Sequence, residues 1–96
     1  VKRSEQLVRK EIDDSIMIVA RDSLENFNLV TKTIKTISDE EIEPYDVSRL
    51  RAAGAALIQT IEELVAAISE DSEWSMPPAE VRDDMFQSMR EELASA

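Results

Sequence analysis

The chain has 96 residues, 43% of them hydrophobic and 33% charged, with a net charge of -10 at neutral pH, which fits one small globular domain rather than a disordered tail. It contains no histidine and no cysteine, which excludes disulfides, thiolate chemistry and Ser-His-Asp or Cys-His catalysis, and removes the best zinc ligands. One glycine and three prolines are too few turn formers for a small all-β fold, and no apolar run approaches the length of a membrane span.

The charge is unevenly spread. Residues 1–37 carry seven basic and six acidic side chains, and the remaining 59 carry four basic and fifteen acidic ones. Such a surface repels nucleic acid overall, since phosphate contact needs clustered Lys and Arg; a basic or neutral partner fits better. The first residues, Val1 to Glu5, do not lead into a signal-peptide core, so an intracellular setting, cytoplasmic or nuclear, is expected. A first residue other than Met fits a fragment of a longer chain.

Helix one is expected over residues 4–37. Ser4 is placed to cap its first turn, and Leu7, Val8, Ile12, Ile16, Val19, Ala20, Phe27, Val30, Ile34 and Ile37 recur at helical spacing. Between Arg21 and Asn28 the pattern is diluted by Asp22, Ser23, Asn26 and Asn28, which are mediocre helix formers. A break near Ser23, giving four helices, is therefore the alternative. Val30 to Ile37 is rich in β-branched residues, but no second strand is visible to pair with it, so helix is the expectation there. No internal repeat stands out.

A charged connector, 38–45, follows. Ser38 and Glu41 have capping-box spacing, and Pro44 biases Glu43 away from helical dihedrals. Helix two is expected over 46–69, with Asp46 as its cap. Val47, Leu50, Gly54, Leu57, Ile61, Leu64 and Ile68 alternate at spacings of three and four, a coiled-coil-type seam. Ile58 and Val65 widen it to a bundle-type face. Gly54, costly in a helix interior by about 1 kcal/mol, points to a large neighbour or a close backbone within the small run Ala52 to Ala56.

Residues 70–77 form a second connector, acidic and then proline-stiffened, holding the only tryptophan, Trp74. Helix three is expected over 78–94. Pro78 suits its first turn, and Glu80, Asp83 and Asp84 suit its positive end. Val81, Met85, Met89 and Leu93, with Phe86 beside them, give it an apolar face.

Little here carries chemistry. The pairs Asp13-Asp14, Glu62-Glu63, Asp83-Asp84 and Glu91-Glu92 diverge by about 100° on a helix and read as solvated faces. Asp39, Glu41 and Glu43 alternate like a calcium loop, but Pro44 and Leu50 occupy the positions that need Gly and Glu. One glycine cannot build a phosphate loop. Neither cofactor nor metal is expected. Two clusters remain as contact candidates. Trp74, Met76, Met85, Phe86 and Met89 could form an adaptable docking surface. Lys2, Arg3, Arg9 and Lys10 form a weak basic cluster, which Glu5, Glu11, Asp13 and Asp14 partly neutralise.

The expected fold is all-α: an antiparallel helical hairpin closed by a third, shorter helix, a small helical bundle in a single domain. The expected function is a non-enzymatic protein-protein interaction, scaffold or oligomerisation module. Helix two supplies the packing seam and helix three an apolar docking face, with a protein partner or a second copy of the chain as the binding partner. The alternatives are an acidic regulator occupying a basic site on a nucleic-acid-binding protein, and the oligomeric core of a DNA-handling complex. Direct nucleic-acid or membrane binding is disfavoured by the charge and the short apolar runs.

Overall fold

The computed structural model describes residues 4–38, 40, 43–74 and 76–96, which form three helices and, among the described residues, no strand: α1 (Glu5–Ile37), α2 (Pro44–Ala66) and α3 (Ala79–Ser95). α1 and α2 pack as an antiparallel hairpin, and α3 lies mainly against α2, with only slight approach to α1. The molecule measures 61 × 30 × 16 Å. A helix with its side chains is about 10–12 Å across, so the helices lie in a thin layer and parts of their faces stay uncovered. No helix among the described residues is long and apolar enough to cross a membrane.

α1 is continuous; the break near Ser23 does not occur. Ser4 caps it, its hydroxyl accepting from the Leu7 amide at 3.2 Å. Of the mediocre helix formers, Asp22, Asn26 and Asn28 are tolerated at exposed positions, and only Ser23, the smallest, is buried.

The buried stripe of α1 differs from the expected one. It comprises Asp13, Met17, Ala20, Ser23, Phe27, Thr31 and Ile34, whereas Leu7, Ile12 and Val19 are exposed. Ala20, Phe27 and Ile34 of the expected line are buried, while Asp13, Ser23 and Thr31 join them on the inner line and several large aliphatics stand on the outer one.

The outer line follows a repeat that the apolar spacing alone conceals. Leu7-Val8, Ile18-Val19 and Leu29-Val30 recur every eleven residues, as do Lys10, Arg21 and Lys32. Eleven residues make three turns with a drift of only about 20°, so each set forms a row along the helix.

α2 begins earlier than expected. Glu43 is extended and Pro44 occupies the first turn, where its fixed φ is already helical and its missing N–H costs nothing; Asp46 therefore lies inside the first turn instead of capping it. The helix also ends earlier, at Ala66, and just beyond it the Ser69 amide donates to the Asp13 carboxylate of α1 at 3.1 Å and the Ser69 hydroxyl joins it at 3.3 Å. Asp13 is only 3% exposed. Its paired acceptor role explains how a carboxylate can sit in the stripe. The capping-box residue Glu41 lies outside the described residues.

Along α2, Gly54, Ile58 and Ile61 are buried, as is Ile68 just beyond its end, and Val47, Leu50, Leu57, Leu64 and Val65 are half-buried. The alanines around Gly54 face solvent. What approaches Gly54 is Leu93 of α3: a Cβ at Gly54 would lie 2.7 Å from Leu93 Cδ1. The Arg90–Glu62 ion pair and hydrogen bond ties α3 to α2 alongside this seat. The core that results is aromatic and branched, with Phe27, Ile34, Ile58, Ile61, Phe86 and Leu93 in one cluster.

α3 starts at Ala79, with Pro78 just before it in an extended conformation. Its inner line is Phe86, Met89 and Leu93. The expected spacing-four face is only partly used, since Val81 and Met85 are exposed.

Candidate functional site

Because Leu93 seats in the notch at Gly54, α3 is drawn towards α2, and a groove of about 210 Å³ stays open beside it, bordered by α1. Met17, Ala20, Arg21 and Leu24 of α1 form one wall, and Arg82, Met85, Phe86 and Met89 of α3 form the other. Ile61 and Val65 of α2 contribute apolar lining, as do Met76 and Pro77 of the connector. The chain has four methionines. All four, Met17, Met76, Met85 and Met89, line this groove. Phe86 is buried, Met76 and Met89 are half-buried, and Met85 is 54% exposed.

No carboxylate lines the groove, although acidic residues outnumber basic ones 21 to 11 in the chain. Most basic side chains elsewhere are paired: Arg9, Lys10, Lys35, Arg49 and Arg90 with carboxylates, and Arg51 with the Ala96 carbonyl. Among the described residues only the side chains of Arg21, Lys32 and Arg82 have neither an ion pair nor a hydrogen-bond acceptor. Two of those three are in the groove walls.

The second connector is pinned to the N-terminal half of α1. Arg9 reaches Asp71 at 3.0 Å and Glu5 at 3.4 Å. Lys10 bridges Asp14 at 2.8 Å and Glu73 at 2.9 Å. The Trp74 indole donates to Asp14 Oδ1 at 3.0 Å, and the Arg21 guanidinium lies 4.7 Å from the Trp74 ring centroid. The Lys10 hydrogen bond holds the Asp14 carboxyl below its ordinary range; desolvation opposes this and the Trp74 indole reinforces it. Hydrogen bonds to Asp14 and Glu73 raise the Lys10 ammonium above its own ordinary range.

The contact candidates read from the sequence are thus divided. Met76, Met85, Phe86 and Met89 come together in the groove. Trp74 stands outside it, half-buried against α1. Met17 belongs to the groove but was not visible as such, because only the pairing of helices brings it near α3. In the basic cluster, Arg9 and Lys10 are committed to the connector, while Lys2 and Arg3 lie outside the described residues. Among the described residues, no group of three or more acidic side chains is placed to hold a metal ion.

A second uncovered surface is the outer row of α1, where Leu7, Ile18 and Leu29 are 58%, 58% and 62% exposed. In comparisons with known proteins, no family model, no curated protein and no solved structure matches this chain.

Proposed function

We propose that this chain is a non-enzymatic protein-protein interaction module that takes the apolar face of a partner helix into the groove between α1 and α3. The observation that carries the reading is the placement of the methionines. The main core cluster is built from Phe, Ile and Leu93 and holds no methionine, whereas all four unbranched, polarizable thioethers border one open groove, from buried Met17 to Met85 at 54% exposure. Methionine re-packs around varied shapes, and a helix presents anchors three and four residues apart to such grooves. At about 210 Å³ the space is smaller than a usual small-molecule pocket of roughly 300–1,000 Å³ and suits anchoring side chains.

The test is methyl NMR on the chain labelled at its methionines, titrated with helical peptides that share one leucine face and differ in flanking residues. At least one peptide should shift all four methyl signals, and Met85→Glu should abolish the effect. Silence from every peptide at high micromolar concentration overturns the reading.

Self-association is a second reading, favoured by the exposed row Leu7, Ile18 and Leu29, which a second copy would cover. Light scattering should then report a mass above 10.8 kDa that returns to the monomer value in Ile18→Glu. A wild-type chain that remains monomeric at high micromolar concentration removes this reading and leaves the groove reading intact.

A further inference from the structure

We infer that the groove's occupant is an acidic amphipathic helix whose carboxylates meet Arg21 on one wall and Arg82 on the other, with its apolar ridge between them. This rests on the docking reading above and adds the charge of the partner. In a chain with nearly two acids per base, a groove whose only charged lining groups are two arginines without ion-pair partners among the described residues is the opposite of what the composition would scatter there.

The two guanidiniums come from different helices, Arg21 from α1 and Arg82 from α3. They therefore flank the apolar floor and set the partner's carboxylates on both sides of its anchor residues. Arg21 is oriented in advance by its stacking on Trp74, at 4.7 Å from the ring centroid, so little side-chain freedom is lost when it takes a carboxylate. Arg82 is half-buried and lines the same groove as Met76 and Phe86. Lys32 continues the cationic row one eleven-residue step beyond Arg21 and extends the match along the partner helix.

The experiment uses the full chain and three synthetic helical peptides with the same leucine face, flanked by Glu, Gln or Lys, followed through the four methionine methyl signals. The expected result is that the Glu-flanked peptide binds about three- to tenfold tighter than the Gln-flanked one. The advantage should shrink with added salt and vanish in the Arg21→Gln/Arg82→Gln variant, whose helical circular dichroism stays that of the wild type.

If the Lys-flanked or Gln-flanked peptide binds as tightly as the Glu-flanked one, the acidic occupant is wrong while the docking reading stands. If the methyl signals move on dilution of the chain alone, a second copy fills the groove and the acidic occupant is again wrong. If decanoate moves the four methyls and no peptide does, the groove takes a fatty acid, and both the occupant and the docking reading fall.

Discussion

α3 meets the α1–α2 hairpin in two ways along its length. Around its C-terminal half the contact is closed: Phe27 and Ile34 of α1 and Ile58 of α2 are almost fully buried, and Leu93 fills the notch at Gly54. Beside the Met17–Leu24 stretch of α1 it is open, and methionines line the opening. Branched and aromatic side chains have few rotamers and fix one packing arrangement, while methionine tolerates several. The contrast separates the part of the molecule that defines its shape from the part free to follow another surface.

The most severe way to break this contrast is to compare truncations on the two sides. Phe27→Ala should cost about 3–5 kcal/mol, a large share of the stability of any domain this small, and should lower the urea midpoint of the helical signal drastically or unfold the chain. Met85→Ala, at a side chain 54% exposed, should stay within about 0.5 kcal/mol. Similar costs at both positions would mean the groove belongs to the core.

Gly54→Ala tests the cause of the asymmetry. Helix propensity alone favours alanine by about 1 kcal/mol, but the new Cβ would lie 2.7 Å from Leu93 Cδ1. Leu93 is buried and has little room to yield, and overpacking of this kind costs about 1–3 kcal/mol. The single substitution should therefore destabilise by about 1 kcal/mol net. In a Leu93→Ala background the sign should reverse, and Gly54→Ala should then stabilise by up to about 1 kcal/mol in urea denaturation. Equal effects in both backgrounds would show that Leu93 is not what the glycine accommodates.

The same particulars explain what the sequence could and could not reveal. The all-α hairpin was legible because α2 carries an uninterrupted three-four apolar spacing and the prolines mark where α2 and α3 begin. The inner line of α1 was not, since an apolar count ranks Leu7, Ile12 and Val19 above Asp13, Ser23 and Thr31. Asp13 is admitted to the interior by Ser69, 56 residues away, a pairing that no local pattern reports. In the groove, Met85, Phe86 and Met89 share one helix and could be grouped by spacing. Met17 reaches them only through the tertiary arrangement, and Trp74 lies beside the groove rather than in its lining because its hydrogen-bond acceptor, Asp14, is on another element. The eleven-residue rows on α1 were present in the sequence but hidden by the search for a closer spacing.

The smallest effect expected concerns the connector that holds Trp74 beside the groove. Lys10 and Asp14 are both at the surface, so Asp14→Asn should lower stability only slightly at neutral pH. The pH dependence of the difference between variant and wild type is the informative quantity. The folded state holds the Asp14 carboxyl below its ordinary value of 3.8, so its contribution is present above that value and is lost as pH falls through the lower folded one. Lys10 is raised from 10.5, so its share is present below 10.5 and is lost as pH rises beyond it. The stability gap between wild type and Asp14→Asn should therefore be flat from about pH 5 to about pH 9 and close towards both extremes. Asparagine still accepts from the Trp74 indole, so tryptophan emission should remain close to the wild type at neutral pH. A gap that changed between pH 6 and 8, or a large shift in emission, would mean that something other than the Lys10–Asp14 charge pair holds the connector, and that the groove's rim is less fixed than its contrast with the core requires.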